Sequence, residues 1–249
     1  MAHKPAVIVP LYIYPLTSET WQPLHQAIAA HPDLRFVIIL NPNSGPGEPP
    51  FPDANYAREI PRLNAHTSVC TIGYVRIDYC KRDISEVCEE VATYAGWSND
   101  RANSGIFVKG IFVDETPNHY SAHVAAYLDT VTLRIKNTPG ILGARLVVHN
   151  PGTMPDSSLT RRRPDVTAVL EESYTRYESH KPHEQRALQQ YGRAGCSYIL
   201  HSVPAKEVKQ IVHELRHRAE FLFVTDLRER YYERFGPTWD DFIEAMQIF

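Results

Sequence analysis

Short apolar runs alternate with longer amphipathic or polar segments along this chain. Each run is rich in β-branched and aromatic residues and is mostly continuous, as is typical of strands that are buried on both faces of a parallel sheet. The eight predicted strands are Ala6–Tyr14, Arg35–Asn41, Val69–Ile77, Gly105–Asp114, Arg145–Asn150, Asp165–Glu171, Cys196–His201 and Ala219–Asp226.

Helices are predicted in the segments between these strands and at the end of the chain. The segment Asp156–Arg162 has room for only one or two helical turns. The predicted helices are Glu19–Ala30, Asn55–Ala65, Ile84–Ala95, His119–Ile135, Tyr174–Tyr191, Ala205–His217, Arg228–Phe235 and Trp239–Gln247.

The alternation predicts an α/β fold, namely a (β/α)8 TIM-type barrel that forms a single domain over residues 1–249. A doubly wound open sheet is the competing architecture, but it usually has fewer strands and a nucleotide-binding first turn. The first turn here, residues 14–18, contains no glycine that would let the backbone approach a pyrophosphate. The barrel is therefore the predicted fold.

The composition narrows the classes of partner. The chain has 26 Lys and Arg against 29 Asp and Glu, a net charge of −3, so it has no basic excess for binding nucleic acid. No apolar run approaches the ~18 residues of a membrane span. The apolar run Ala6–Val9 is too short for a signal peptide. We therefore expect a cytoplasmic protein, or a secreted one whose signal has been trimmed.

Polar side chains lie near the ends of almost all predicted strands. In a barrel of parallel strands these ends meet at one face, and the active site is built there. Surface loops are polar anyway, but the coincidence at nearly all strand ends is much less expected by chance. The candidate substrate-binding residues are Tyr12, Asn41, Tyr74, Arg76, Asn150, His201 and Asp226.

Two predicted strands end in adjacent carboxylates. Asp114 and Glu115 close the fourth strand, and Glu171 and Glu172 repeat the arrangement two strands later. Adjacent strand residues point to opposite faces, so Asp114 and Glu115 do not both enter one pocket without a bulge. Carboxylates that meet from different strands can supply the acid and the nucleophile or base of glycoside hydrolysis. Capping of the following helices is the alternative reading of these acids.

Tyrosines near the strand ends could stack on sugar rings, or they could simply pack in the core and rim. A metal-dependent polysaccharide deacetylase that uses His149, His201 and Asp226 is a second functional alternative. However, the sequence contains no His-Glu-x-x-His motif and no His-x-His pair in its first strand. Neither a metal nor another cofactor is expected.

Five segments carry a family resemblance. They read VPLYIYP at residues 9–15, ILNPNSGPG at 39–47, IGYV at 72–75, GIFVDE at 110–115 and NPGT at 150–153. Together they resemble the spherulation-specific (spherulin 4) family, glycoside hydrolase family 135, and the resemblance runs from about residue 6 to residue 226. It implies a (β/α)8 barrel and an endo-acting hydrolase of α-1,4-linked N-acetylgalactosamine in the polysaccharide galactosaminogalactan.

The resemblance also implies site residues. The family's acidic pair at the fourth strand matches Asp114 and Glu115, and its glutamate at the sixth strand matches Glu171, with Glu172 the alternative register. The chain departs from the family at residues 77–82, where IDYCKR replaces a glycine-rich stretch and would change the floor or rim of the cleft. The implied partner is a polysaccharide or oligosaccharide, and the protein is expected to act as a monomer.

The implied substrate limits the mechanism. In an α-linked 2-acetamido sugar of this type the leaving group and the acetamide are cis, so the acetamide oxygen cannot attack from the opposite face. The protein must then supply a nucleophile, with retention, or a base for water, with inversion. We expect Asp114 as nucleophile and Glu171 as general acid/base, with Glu115 holding a substrate group or tuning Asp114. Retention is favoured over inversion.

A non-catalytic carbohydrate-binding barrel is the remaining alternative. The separation of the Asp114 and Glu171 carboxyl groups discriminates, because retaining enzymes need about 5–5.5 Å and inverting enzymes roughly 6.5–9.5 Å.

Overall fold

A computed structural model of the chain describes residues 5–160, 164–179 and 192–247. Its strands are β1 Ala6–Leu11, β2 Arg35–Leu40, β3 Val69–Arg76, β4 Gly110–Asp114, β5 Leu146–Asn150, β6 Val166–Ser173, β7 Cys196–His201 and β8 Phe221–Val224. They pair in parallel and in chain order, and β1 also pairs with β8, so the sheet closes on itself. The predicted (β/α)8 barrel is confirmed.

The helices cover the outside of this barrel. Three of them are capped by a side chain at their first turn, where Asp53, Asp83 and Ser121 accept backbone N–H groups. Among the described residues, no helix is both long enough and apolar enough to cross a bilayer. The helices are α1 Gln22–Ala30, α2 Ala54–Asn64, α3 Ile84–Gly96, the short α4 Arg101–Ser104, α5 Ala122–Asn137, α6 over residues 174–179, α7 Val208–Leu215 and α8 Trp239–Gln247.

The burial of the strand residues explains why the sequence predicts these strands. Every residue of β1 and β8 is buried, as are all but the first residue of β2. Because all eight strands are parallel, their carboxyl ends lie at the same end of the barrel. The candidate residues at that end are Asn41, Arg76, Asp114, Asn150, Glu171, His201 and Asp226.

A close contact between Gly73 and Tyr94 aligns β3 beneath this end. A Cβ atom on Gly73 would lie 2.6 Å from the Tyr94 ring, so only glycine leaves room for the ring. The Tyr94 hydroxyl accepts a hydrogen bond from the backbone N–H of Tyr74 at 3.1 Å, and it also lies 3.2 Å from the carbonyl oxygen of Leu40. The α3 side chain therefore ties β2 to β3 just before the polar end of the strand.

Several predicted boundaries shift. β1 ends at Leu11 rather than at Tyr14, because the N–H of Tyr12 already turns to the carbonyl oxygen of Tyr232 at 3.1 Å. β4 begins at Gly110 rather than at Gly105, and β8 is limited to Phe221–Val224.

Three helix predictions also change. The predicted helix Arg228–Phe235 is wrong, because this segment forms bends and turns with left-handed backbone at Arg230. Of Asp156–Arg162 the structure describes a single 3-10 turn, Ser157–Thr160. The helix predicted over Tyr174–Tyr191 does begin at residue 174, and residues 180–191 lie outside the described part of the chain.

Candidate active site

One amide connects two carboxylates at the carboxyl end of the barrel. Asn150 Nδ2 donates a hydrogen bond to Asp114 Oδ1 at 2.8 Å and another to Glu171 Oε2 at 2.6 Å. These two carboxylate oxygens therefore lie no more than about 5.4 Å apart, which is the two bond lengths laid end to end. Asn150 Oδ1 accepts the N–H of Gly152 at 3.1 Å, and this bond fixes which way the amide faces.

Tyrosines hold the outer oxygens of the same two carboxylates. The Tyr74 hydroxyl donates to Asp114 Oδ2 at 2.8 Å, and the Tyr232 hydroxyl donates to Glu171 Oε1. Tyr12 stands between these tyrosines, with its ring edge-to-face to Tyr74 at 5.5 Å and to Tyr232 at 5.4 Å. The N–H of Glu115 completes the donors to Asp114 at 2.9 Å. Both carboxylates are therefore fixed in orientation by neighbours on other strands and loops.

A bulge in β6 decides which glutamate reaches the pair. The register between β6 and β7 shifts between Ala168 and Leu170, so one extra residue is inserted before the strand end. Glu171 then meets Asn150 and Tyr232. The Glu172 carboxylate instead lies 3.2 Å from Arg176 at the start of α6. The two registers left open by the sequence are thus distinguished by a local irregularity of the strand.

Glu115 lies just past the end of β4 in left-handed backbone, with φ of 54°. Its Oε2 atom is 3.7 Å from Arg76 Nη1, and this oxygen is buried with no hydrogen-bond partner among the described residues. Burial raises the pKa of the Tyr74 phenol, and the charges of Asp114 and Glu115 raise it further. The left-handed residue thus ends the regular alternation of side chains at the end of β4.

Burial and neighbouring charge set the protonation of the other site groups. Burial raises the pKa of Glu171 above the ordinary carboxyl value, and the charges of Asp114 and Glu172 act in the same direction. The hydrogen bonds from Tyr232 and Asn150 oppose this shift. Burial also raises the pKa of Tyr12 and of Tyr232, so both phenols stay protonated at neutral pH.

Three of the candidate substrate-binding residues have partners outside the carboxylate pair. Asn41 Oδ1 accepts the N–H of Gly45 at 3.1 Å, so it folds the loop after β2. Asp226 accepts the Thr238 hydroxyl at 2.8 Å, which anchors the segment before α8. His201 stacks on the ring of Tyr231 at 4.1 Å with nearly parallel planes.

Tyr231 and Tyr232 are the site residues that sequence reasoning missed. They line an open cleft of about 400 Å³ together with Tyr12, Arg230 and Glu233. The sequence predicts a helix over Arg228–Phe235, and the candidate site residues therefore do not include its tyrosines. The available signal was its position, because it directly follows β8 and loops after barrel strands form the active face.

The residues of the deacetylase alternative are not assembled into a metal site. Outward-facing His149 is buried, and its Nε2 lies 3.1 Å from the Thr132 hydroxyl of α5. Burial lowers the pKa of His149 to about 4. Across residues 5–160, 164–179 and 192–247, no group of three His, Cys, Asp or Glu side chains could hold a metal ion.

A parallel barrel whose mouth holds two carboxylates from different strands, beside a tyrosine-lined cleft, is typical of barrel glycoside hydrolases. The chain belongs to spherulation-specific family 4, whose family model matches residues 6–246. The resemblance carried by the strand-end motifs is therefore confirmed.

Individual relatives agree with this assignment. Spherulin-4 of Physarum polycephalum is 35% identical over 150 residues, which are 60% of this chain but only 40% of that protein's length. The crystal structure of Aspergillus clavatus Sph3 in complex with GalNAc is 38% identical, with a TM-score of 0.90 over 98% of this chain and 97% of that one. The tri-modular endo-β-1,4-glucanase B of Bacillus halodurans shares the fold alone, at 10% identity and a TM-score of 0.56, with 98% of this chain and 60% of that one covered.

Proposed function

We propose that this chain is an endo-acting glycoside hydrolase that cleaves an α-1,4-linked N-acetylgalactosamine or galactosamine polysaccharide. The observation that carries the proposal is the bridge from Asn150 to Asp114 and Glu171, which holds two carboxylates at a separation suited to glycosidic cleavage. Similarity to Sph3, whose structure was solved with GalNAc, supports this sugar as the substrate unit.

Asp114 acts as the nucleophile in this proposal. One of its oxygens attacks the anomeric carbon while Glu171 gives its proton to the departing glycosidic oxygen. A glycosyl ester with Asp114 forms, and the part of the polysaccharide that carries the protonated oxygen leaves. Glu171 then takes a proton from water, whose oxygen attacks the same carbon and restores the Asp114 carboxylate. The raised pKa of Glu171 suits the first step, in which this residue must carry a proton.

The neighbouring residues orient these two groups. Tyr74 and Asn150 fix the Asp114 carboxylate, while Tyr232 and Asn150 fix that of Glu171. Glu115 faces Arg76 at 3.7 Å, and in this proposal its partly exposed side chain contacts a substrate hydroxyl or amide. In this proposal Tyr12 and His201 contact the sugar from the cleft side.

Retention of the anomeric configuration is the expected stereochemical outcome. Asn150 brings one oxygen of Asp114 and one oxygen of Glu171 within about 5.4 Å of each other, and this closeness supports retention. NMR of the first products should therefore show the α anomer, and initial formation of the β anomer would contradict the nucleophile assigned here.

A non-catalytic carbohydrate-binding barrel is the alternative that the sequence left open. Such a barrel would keep the tyrosines but would not need two carboxylates linked by one amide. Helix capping also fits these acids poorly, because the carboxylates of Asp114 and Glu171 accept bonds from residues on other strands and loops.

The proposal is tested by incubating the protein with purified α-1,4-linked N-acetylgalactosamine polysaccharide and, separately, with α-1,4-glucan. Mass analysis should detect oligosaccharides of several residues from the first polymer and none from the second. The absence of products from the first polymer would overturn the proposed activity, and products from both would overturn the proposed substrate.

A further inference from the structure

The turn after β3 has an unusual backbone. Asp78, Tyr79 and Cys80 follow one another with φ values of 45°, 52° and 65°, so three successive residues are left-handed. None of them is glycine, the residue that takes this conformation without a steric penalty. Strained backbone of this kind persists where the surroundings impose it, and it clusters at functional sites.

The surroundings of this turn do impose its shape. The N–H of Ile77 donates to the carbonyl oxygen of Asp114 at 3.1 Å, and the N–H of Tyr79 donates to that of Glu115 at 2.9 Å. From the other side, Arg82 donates to the carbonyl oxygen of Arg76 at 2.7 Å. The turn is thus bonded directly to the backbone of the acidic pair and cannot shift independently of it.

The turn projects one aromatic ring into solvent. Ile77 is fully buried and Cys80 is buried as well, whereas Tyr79 between them is 56% exposed. Lys81 Nζ lies over this ring, 5.7 Å from its centroid. Glycine at position 79 would form the same turn with less strain. Compared with glycine, Tyr79 therefore contributes only its exposed ring.

We propose that Tyr79 is a stacking platform for a sugar residue of the bound polysaccharide, at a subsite away from the cleaved bond. The turn lies beside the ends of β3 and β4, whereas the cleft of Tyr231 and Tyr232 follows β8. In the closed ring of eight strands β4 stands opposite β8, so a chain that runs from this cleft across the carboxylates continues toward the side where Tyr79 stands. The exposed aromatic face matches the apolar C–H face of a pyranose. This inference rests on the proposed function.

The test compares variants with and without a ring at position 79. Y79F keeps the ring, Y79G removes it and relieves the left-handed strain, and Y79N removes it with a residue that tolerates left-handed backbone. For long N-acetylgalactosamine chains, Y79G and Y79N should raise KM about tenfold with kcat nearly unchanged, while Y79F stays within twofold of wild type. On the shortest cleavable oligosaccharides all four proteins should behave alike.

Stability separates this role from a structural one. Y79G should melt at or above the temperature of wild type, because the strain is relieved and the exposed ring contributes little packing. A lower melting temperature with an unchanged KM would show that the ring is structural and would overturn the proposal. An unchanged KM for long chains in both Y79G and Y79N would overturn it as well.

A binding measurement distinguishes failure of the Tyr79 platform from failure of the proposed enzymatic activity. Titration of the same long N-acetylgalactosamine chains into wild type, Y79F and Y79G by calorimetry requires no cleavage. If no hydrolysis occurs but Y79G still binds about tenfold more weakly than Y79F, the platform stands and only the enzymatic proposal falls. Equal affinities of Y79F and Y79G would overturn the platform whatever the activity.

Discussion

Opposing influences act on the pKa of the Glu171 carboxyl. Burial and the negative charges of Asp114 and Glu172 raise its pKa, whereas the hydrogen bonds from Tyr232 and Asn150 lower it. In the proposed mechanism Glu171 must carry a proton in the free enzyme and lose it during the first step. The upper pH limit of kcat/KM therefore reports the pKa of this residue.

Removal of the Tyr232 hydroxyl should move that limit. Y232F deletes a donor that stabilises ionised Glu171, so the pKa of Glu171 rises and the basic limb of kcat/KM shifts to higher pH. The measurement is the pH profile of kcat/KM on one oligosaccharide. A shift to lower pH, or none, would contradict the assignment of Glu171 as the acid.

Y177F is a matched control for this experiment. Tyr177 is also a buried tyrosine, but its hydroxyl pairs with Glu214 at 3.1 Å and with Arg218 at 2.7 Å. This variant should lose some stability and keep the wild-type pH profile.

At the scale of single elements, β3 depends on its contact with α3. In G73A the new Cβ would lie 2.6 Å from the Tyr94 ring, and overpacking of this kind costs about 1–3 kcal/mol. The displaced ring would also disturb Tyr74, which donates to Asp114, so both the free energy of unfolding and kcat should fall. Urea unfolding and turnover measure the two effects.

G143A provides the comparison. Gly143 has left-handed backbone with φ of 58°, and a Cβ there would meet no atom within 4 Å. This substitution should cost about 1 kcal/mol of stability from the backbone alone and leave kcat unchanged. Wild-type stability and turnover in G73A would show that the Gly73–Tyr94 contact does not align the site.

The elements differ in how far the sequence could predict them. The eight strands were predictable because buried parallel strands are continuous apolar runs. The bulge in β6 was not, since nothing in VTAVLEES marks an extra residue, and the choice between Glu171 and Glu172 depended on it. The helix predicted over Arg228–Phe235 does not form, because Tyr231 stacks on His201 and Tyr232 donates a hydrogen bond to Glu171. Contacts between residues distant in sequence decide such details.

In the molecule as a whole, the first and last strands close one sheet. Ala6 and Val7 pair with Phe221 and Leu222, so β1 and β8 complete the barrel. The single domain expected over residues 1–249 stays a prediction, and this closure favours a single unfolding transition by calorimetry. Two well-separated transitions would instead indicate independently folding parts.

In the proposed mechanism the Asp114 carboxylate attacks the sugar at this barrel mouth. D114N keeps the shape of the side chain and removes the charge that attacks the sugar. The measurement compares D114N with wild type in turnover of, and affinity for, one α-1,4-linked N-acetylgalactosamine oligosaccharide. We expect kcat to fall by several powers of ten, equivalent to about 3–5 kcal/mol or more, while the dissociation constant changes little. Unchanged turnover in a folded D114N protein would contradict the proposed mechanism.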